Sequence, residues 1–315
     1  MVRRLLDVGH EVRVLVRADS NRANLKGLKI QVAEGDLRDR LSLDQAVTGC
    51  DALFHVAADY RLWSLRPKDL YDSNVDGSLN IVSAAAEAGV ARIIYTSSVA
   101  TLGVNADGTP ATEQTSARLE QMVGHYKRSK FIAERELRKY ALRQRLSMVI
   151  VNPSTPIGPR DIKPTPTGRV ILQAAAGRMP AYVHTGLNIV HVEDVADGHL
   201  LAYEKGKVGE RYILGGEDMT LQSILAEVAQ LSGRRFAKVK VPRLLVLPLA
   251  YLSQGWARFR RSKTEPLLTV DGLRMSQKMM FFSSEKARRQ LGYAPRPARA
   301  ALQDAVDWFK ANDYC

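Results

Sequence analysis

Three side chains of the sequence have the chemistry and spacing for proton transfer. Tyr126 and Lys130 are four residues apart in a segment with a helical pattern, so their side chains share one face of the helix. A free tyrosine has a pKa of about 10 and is a poor acid or base at neutral pH, but a nearby ammonium favours the phenolate and lowers that pKa. A serine hydroxyl beside the pair, which Ser98 would supply, orients a substrate oxygen. The trio therefore predicts proton exchange with a hydroxyl or carbonyl group.

Spacing alone does not establish this site, because a tyrosine and a lysine four residues apart are common on exposed helices. Two neighbouring segments strengthen the catalytic interpretation. The strand-like segment 92–96 leads directly to Ser98, and segment 147–151, after the helix, leads to Pro153. Ligands of open parallel sheets bind at the carboxyl ends of the strands, where these residues would lie. The arrangement favours hydride exchange with a nicotinamide cofactor, in which Tyr126 moves the accompanying proton.

The segments around this site alternate between strand-like and helical patterns. Strands are predicted at 11–16, 29–33, 52–56, 92–96 and 147–151, and helices at 42–48, 71–88 and 126–142. The alternation predicts an α/β fold, in which a Rossmann-like doubly wound parallel sheet is covered by helices on both faces.

The later part of the chain has a different pattern. Residues 152–167 contain five prolines and little periodicity, which predicts a long ordered loop. Two further strands are predicted at 189–192 and 211–214, and amphipathic helices at 220–232 and 301–310. We therefore expect a cofactor-binding domain from residues 1–153 and 190–216, and a smaller C-terminal substrate-binding lobe from residues 154–189 and 217–315.

Composition and charge narrow the class of protein. The two cysteines, Cys50 and Cys315, cannot form a disulfide framework, so we expect a cytoplasmic protein. No apolar run reaches the roughly 20 residues of a membrane span. The net charge of +13 is spread along the chain without a nucleic-acid-binding motif, so we expect a solvated basic surface and no nucleic-acid partner. Histidines and cysteines form no metal-like cluster, and we expect no metal site.

An apolar helical segment at 244–252 lies beside a local basic cluster, Arg258, Arg260, Arg261 and Lys263. A helix of this composition can make peripheral contact with a membrane surface. We expect instead that it packs against the smaller lobe.

Six stretches distributed over nearly the whole chain resemble a known family. They are 55–63 (HVAADYRLW), 74–77 (NVDG), 95–103 (YTSSVATLG), 152–159 (NPSTPIGP), 191–196 (HVEDVA) and 280–284 (MFFSS). Together with the serine, tyrosine and lysine, they resemble the extended short-chain dehydrogenases/reductases of the NAD-dependent epimerase/dehydratase family. Within it, the sequence is most similar to bacterial hopanoid-associated sugar epimerases and to the dihydroflavonol 4-reductase group.

The resemblance implies a role for each matching position. Tyr126 would be the general acid/base, Lys130 would activate it and bind the cofactor ribose, and Ser98 would orient the substrate oxygen. The other implied cofactor contacts are Asp36 and Leu37 at the adenine, Ala57 and Ala58 along the groove, Pro153 and Ser154 near the nicotinamide, and Asn74 as an anchor of the active-site helix or of a water. The family also implies a homodimer formed through the helices at 71–88 and 126–142.

The residue after the first predicted strand bears on the choice of cofactor. An acidic residue there would bind the ribose 2′-hydroxyl of NAD, whereas this chain has Arg17, and a cation suits a 2′-phosphate. NADP(H) is therefore favoured over NAD(H). An ordinary exposed arginine at a strand end is the alternative.

The motifs do not separate reduction from epimerisation, because both share the hydride step. The resemblance favours an epimerase acting on a sugar or nucleotide sugar linked to hopanoid metabolism, whereas Arg17 and the reductase likeness favour an NADPH-dependent carbonyl reductase. A nucleotide sugar needs a diphosphate clamp, which Arg160, Lys163 and Arg169 could supply, although a solvated loop would contain the same residues. A non-catalytic dinucleotide-binding remnant is a third alternative, against which the tyrosine and lysine argue.

The glycine-rich turn that cradles the cofactor pyrophosphate in such folds is missing from the sequence. Residues 1–10 have the pattern of the end of the first helix, so we expect the first strand and its turn upstream of Met1. A doubly wound sheet that lacks its first, central strand has a gap of about 10 Å between two unpaired edges. The alternative is a remnant with a damaged cofactor site.

Overall fold

The computed structural model describes residues 1–236, 239–260, 262, 266 and 268–315. The strands are β1 (Arg13–Val16), β2 (Gln31–Glu34), β3 (Ala52–His55), β4 (Arg92–Thr96), β5 (Met148–Pro153), β6 (Thr155–Ile157), β7 (Ala181–Tyr182), β8 (Gly186–His191), β9 (Arg211–Leu214), β10 (Glu217–Thr220), β11 (Val239–Lys240) and β12 (Met279–Met280). The helices are α1 (Val2–Asp7), α2 (Arg40–Val47), α3 (Lys68–Tyr71), α4 (Gly77–Glu87), α5 (Gly124–Gln144), α6 (Pro166–Ala175), α7 (Val192–Lys205), α8 (Leu221–Ser232), α9 (Arg243–Phe259), α10 (Val270–Met275), α11 (Glu285–Leu291) and α12 (Ala298–Ala311). A π-helical turn, Asp72–Asp76, joins α3 to α4, and a 3₁₀ turn, Val99–Thr101, follows β4.

A parallel sheet with the strand order β3-β4-β5-β9 forms the centre of the N-terminal part. All six residues of β5 are buried, because helices cover both faces of the sheet. Helices α2, α4 and α5 pack on one face around Ile81, Ile93 and Ile150. Helices α7 and α11 pack on the other face around Val149 and Tyr212. The predicted α/β, Rossmann-like architecture is confirmed.

Strands β1 and β2 pair with each other in a separate two-stranded parallel sheet. A cleft of about 1290 Å³ separates β1 from β3, lined by Val14 and Leu15 on one side and by Leu53 and Phe54 on the other. No strand in the described part of the chain occupies this position. The cleft is the gap that the sequence predicted, and α1 is the predicted helix at its margin.

The C-terminal part contains a second sheet. Strand β8 pairs antiparallel with β10 and parallel with β12 and β6. Helices α6, α8 and α12 pack on one another and against this sheet, around Ile171, Ile224 and Leu302. The strand predicted at 189–192 is part of β8 and therefore belongs to the second sheet. The strand predicted at 211–214 is β9, which joins the first sheet.

The prediction of a loop across residues 152–167 is wrong in two places. Residues 155–157 form β6, which pairs only with β8 among the described strands. An edge strand tolerates Pro156, because proline lacks only the backbone N–H group, and on the outer side of an edge strand that group has no neighbouring strand to pair with. Pro166 begins α6, where Thr165 caps the helix by accepting a hydrogen bond from the backbone nitrogen of Gly168 at 3.1 Å.

The prediction that the apolar segment 244–252 packs against the smaller lobe is correct for one face of α9 only. Ala250, with the partly buried Val246 and Leu247, packs against Val270 and Leu273 of α10. The opposite face is exposed to solvent. Two residues of the adjoining basic cluster, Arg261 and Lys263, lie outside the described residues. Among the described helices, none is long and apolar enough to cross a membrane.

Candidate active site

The structure brings Ser98 and Tyr126 together at the carboxyl end of β4. Ser98 is the N-cap of the 3₁₀ turn Val99–Thr101, and its hydroxyl accepts a hydrogen bond from the backbone nitrogen of Ala100 at 3.1 Å. Tyr126 lies in the first turn of α5. Burial raises the pKa of the Tyr126 phenol, and a hydrogen bond with Ser98 offsets part of that rise. The two predicted groups thus share one polar contact, and both side chains are half-buried.

The ammonium of Lys130 contacts β4. It donates hydrogen bonds to the Tyr95 hydroxyl at 3.0 Å and to the Thr96 carbonyl oxygen at 2.9 Å, and lies 4.7 Å from the centroid of the Tyr95 ring. Burial lowers the pKa of Lys130 to about 8, although Glu134 raises it. The long side chain therefore reaches from α5 to a backbone acceptor of β4. The predicted roles of Lys130 as activator and ribose ligand stay predictions.

A buried carboxylate that the sequence analysis missed holds the segment carrying Ser98. Glu134 lies four residues after Lys130 on the same face of α5. It accepts hydrogen bonds from Ser97, Thr101 and Asn152, the last two at 2.8 and 3.1 Å. Arg211 of β9 forms an ion pair with its other oxygen at 3.1 Å. The available signal was the recurrence of ionisable groups at every fourth position of α5.

Asn74 is buried in the π-helical turn Asp72–Asp76. Its side-chain amide bonds both backbone groups of Asp59, accepting from the nitrogen at 2.8 Å and donating to the oxygen at 2.9 Å. It also donates to the hydroxyl of Ser129 in α5 at 2.9 Å. The structure thus places Asn74 between the loop after β3 and the active-site helix, in the position that the predicted anchoring role requires.

The residues predicted for the adenine end of the cofactor gather after β1 and β2. The carboxylate of Asp36 forms an ion pair with Arg38 at 2.7 Å, and this contact lowers the pKa of Asp36 to about 2. The two strands pair in parallel up to Val16 and Glu34, so Arg17 and Asp36 follow neighbouring strand ends, and Arg17 also lowers that pKa through space. The Arg17 side chain is 61% exposed, with Asp19 at 3.5 Å. Leu37 packs closely against the Gly77 backbone at the start of α4.

The residues predicted to line the cofactor groove lie after β3, and those predicted for the nicotinamide end lie at the end of β5. Ala57 and Ala58 follow β3, and Pro153 ends β5. The hydroxyl of Ser154 is buried, and it has no hydrogen-bond partner within the part of the chain that the structure describes. Small side chains and a buried, unpartnered hydroxyl fit the nicotinamide end of a dinucleotide, as the charged residues after β1 and β2 fit its adenosine end.

Comparison with known proteins agrees with this geometry. Residues 1–215 match the model of the NAD dependent epimerase/dehydratase family. Over 319 aligned positions, covering 100% of this chain and 92% of its relative, the chain is 47% identical to a Synechocystis sp. protein named as a candidate dihydroflavonol 4-reductase. It is 36% identical over 310 positions to sterol demethylase protein B of Methylococcus capsulatus, covering 98% of this chain and 94% of that protein.

A solved structure supports the same assignment. The crystal structure of the protein gox2253 superposes with a TM-score of 0.89 at 51% identity, covering 99% of this chain and 94% of that one. The sequence resemblance is confirmed: the chain belongs to the NAD-dependent epimerase/dehydratase family and is an NAD(P)-dependent enzyme of the extended short-chain dehydrogenase/reductase type.

Proposed function

We propose that this protein is an NADP(H)-dependent reductase that converts the keto group of an apolar, ring-containing substrate to a hydroxyl group. The observation that carries the proposal is the contact between the Ser98 and Tyr126 hydroxyl groups at the carboxyl end of β4, where both could meet one substrate oxygen. A phenol is protonated at neutral pH, which is the form that donates a proton to a developing alkoxide.

In this proposal, separate residues bind the cofactor, orient the substrate and donate the proton. Arg17 would hold the 2′-phosphate, Lys130 the nicotinamide ribose and Ser154 the nicotinamide amide, and the bound cofactor would supply the hydride. Ser98 would orient the substrate oxygen, and Tyr126 would give it the proton. Glu134 would keep the segment behind Ser98 in place through its buried hydrogen bonds.

Two observations support an apolar substrate. Val104 and Met280 are only partly buried against the apolar core beside the Ser98 segment, so they leave apolar surface there. The relatives with high identity are named for dihydroflavonol reduction and sterol demethylation, reactions of polycyclic molecules.

A sugar epimerase, linked to hopanoids by the sequence resemblance, is the second candidate, favoured by the family match over residues 1–215. It is less well supported because Arg160, one of the residues suggested as a diphosphate clamp, is already paired with a carboxylate. The Arg160 guanidinium forms an ion pair with Glu193 at 3.3 Å and lines the cleft between β1 and β3. Arg169 lies near Tyr60 and acts on its pKa.

The two candidates differ in what happens to the cofactor. A reductase oxidises one NADPH for each carbonyl group reduced, whereas an epimerase returns the hydride to its substrate. We would incubate the chain with NADPH and, in turn, with polycyclic ketones and nucleotide sugars, following both NADPH absorbance and product stereochemistry. We expect NADPH consumption with a ketone. Interconversion of a nucleotide sugar without net NADPH consumption, and no turnover of any ketone, would replace the reductase with the epimerase.

A further inference from the structure

Helix α9 exposes a continuous apolar face. Its seven exposed large hydrophobic side chains are between 53% and 81% accessible: Leu244, Leu245, Leu249, Tyr251, Leu252, Trp256 and Phe259. Pro248 and Gly255, which lie among them, are also exposed. Their spacings of three, four and seven residues place them on one side of the helix, opposite the buried Ala250 and Ala257. An apolar surface of this extent marks an interaction site rather than ordinary surface variation.

The margins of this apolar face are basic. Arg258 and Arg260 are exposed, and their positions on the helix place one at each edge of the face. The guanidinium of Arg260 lies 4.6 Å from the centroid of the Trp256 ring, which itself stacks on Phe259 at 6.0 Å. Residues 239–260 contain no aspartate or glutamate. The face therefore combines aromatic and aliphatic groups with cations only.

The protein holds α9 in place from the opposite side. Ala250 is fully buried against Val270 and Leu273 of α10, so the apolar face is formed before any partner binds. The helix has 17 residues and a length of about 25 Å at 1.5 Å per residue, and it is not among helices long and apolar enough to span a bilayer. It has the composition of a helix that lies in the plane of a lipid interface.

We propose that α9 docks this protein on a membrane surface that contains anionic lipids. The aliphatic side chains would enter the boundary between headgroups and acyl chains, Trp256 would lie at the headgroup level, and Arg258 and Arg260 would meet lipid phosphates while their alkyl stems remain on the apolar side.

A second copy of the chain fits this face less well than a lipid surface does. Two α9 helices that met through this face would each carry Arg258 and Arg260 into the contact. No carboxylate of residues 239–260 is available to neutralise these cations. Anionic headgroups supply the missing charge.

Vesicle flotation of the full chain tests the proposal. Phosphatidylcholine vesicles would be compared with mixed phosphatidylcholine–phosphatidylglycerol vesicles at low and high salt. The test variant is L245S/L252S/F259S, and the matched control L41S/L142S removes two leucines that are 75% and 81% exposed on other helices. R258Q/R260Q tests the charges. Thermal unfolding of each variant verifies that it is folded.

We expect the wild type and the leucine control to float with the anionic vesicles only, and high salt to reduce the bound fraction. The triple variant should bind about ten-fold less and the arginine variant several-fold less. The fluorescence of the wild type, but not of W256F, should shift to shorter wavelength on the anionic vesicles.

Three results would overturn the proposal. They are flotation of the triple variant like the wild type, equal flotation on neutral vesicles at every salt concentration, and no flotation on either vesicle. In the last case, sedimentation equilibrium showing a dimer that the triple variant abolishes would assign the face to a second copy of the chain.

Discussion

The carboxyl ends of β4 and β5 and the interval between β1 and β3 differ in how completely contacts within the chain fill them. Behind Ser98, the carboxylate of Glu134 is surrounded by hydrogen-bond donors from three segments, and Asn74 ties the β3 loop to α5. Between β1 and β3, two strand edges face a cleft of about 1290 Å³. The proton-transfer groups are therefore positioned by contacts that do not involve β1, β2 or the cleft.

This difference separates two properties that are often coupled in such enzymes. The positions of Ser98 and Tyr126 depend on β4, β5 and α5. Binding of the pyrophosphate in the middle of a dinucleotide depends instead on the region between β1 and β3. Substitutions in the first region should change turnover, and those after β1 should change cofactor affinity or preference.

The largest effect should come from Tyr126→Phe, which removes the proton donor and leaves the ring. We expect turnover to fall by about 10²–10⁴-fold with little change in NADPH affinity. Steady-state kinetics and a binding titration measure the two properties. Tyr71→Phe is the matched control, since the Tyr71 hydroxyl bonds the exposed His125 at 3.2 Å outside the groove. Equal turnover of wild type and Tyr126→Phe would contradict the catalytic assignment.

Hydrogen exchange should distinguish the two regions directly. The amides of β1 and β2 belong to a two-stranded sheet beside an open cleft, so we expect them to exchange more than about 100-fold faster than those of β4 and β5. Strand β9 is the control, because it pairs only with β5 among the described strands but packs in the main core. Equal protection of β1 and β4, measured by mass spectrometry, would remove the basis of the comparison.

Glu134→Gln should destabilise the region behind Ser98, where the buried contacts of Glu134 lie. The substitution removes the charge that pairs with Arg211 and converts one buried acceptor into a donor, so we expect the free energy of unfolding to fall by about 2 kcal/mol. Glu136→Gln changes a half-buried residue two positions further along α5, whose pairs with Arg135 and Lys139 lie on the surface, and should cost less than about 0.5 kcal/mol. Denaturant unfolding gives both values. A similar loss of unfolding free energy in both variants would show that the buried contacts of Glu134 stabilise the fold no more than surface ion pairs do.

Lys130 should impose a pH dependence on turnover. Burial lowers its pKa from 10.5 to about 8, so the buried ammonium loses its proton as the pH rises through about 8. Turnover should decline there, whereas this group's contribution to stability should increase between about 8 and 10.5, because the unfolded chain binds the proton that the folded chain has lost.

A second buried lysine has to be separated from this effect. Burial also lowers the pKa of Lys127 to about 8, so Lys127→Gln is the control. The decline should persist in that variant. Its disappearance there would assign the pH dependence to Lys127.

The smallest effect should follow Arg17→Glu. The exposed guanidinium would contribute only at the 2′-phosphate, so we expect the variant to lose several-fold in NADPH affinity while NADH affinity stays the same or improves. Arg22→Glu, near the same strands but paired with Glu34, serves as the control. Unchanged relative affinity for the two cofactors in Arg17→Glu would remove the argument for NADP(H).

The sequence predicted those features that follow from periodicity and connection. Alternating segments identified the parallel sheet, the helical spacing placed Tyr126 and Lys130 on one face of α5, and the absent glycine-rich turn predicted the cleft between β1 and β3. It missed contacts that depend on tertiary packing. The direction of the Lys130 side chain is set by the Thr96 carbonyl, and Glu134 is buried although an acidic residue on a helix is usually exposed.

The apolar segment of α9 shows the same limit. Apolar residues are usually buried, so the sequence indicated packing, but the C-terminal part offers α10 against only one side of the helix. Strand β6 is similar, because Pro156 and the prolines on either side of the strand indicate a loop, and only the edge position beside β8 permits a strand.

A fluorescence titration of the purified chain with NADPH and with NADH tests the central claim most directly, since the proposed chemistry requires the groove to bind a reduced dinucleotide. We predict saturable binding of both, with NADPH the tighter ligand. No saturable binding of either cofactor would mean that the region between β1 and β3 prevents cofactor binding in this chain, and the proposed reductase activity would be contradicted.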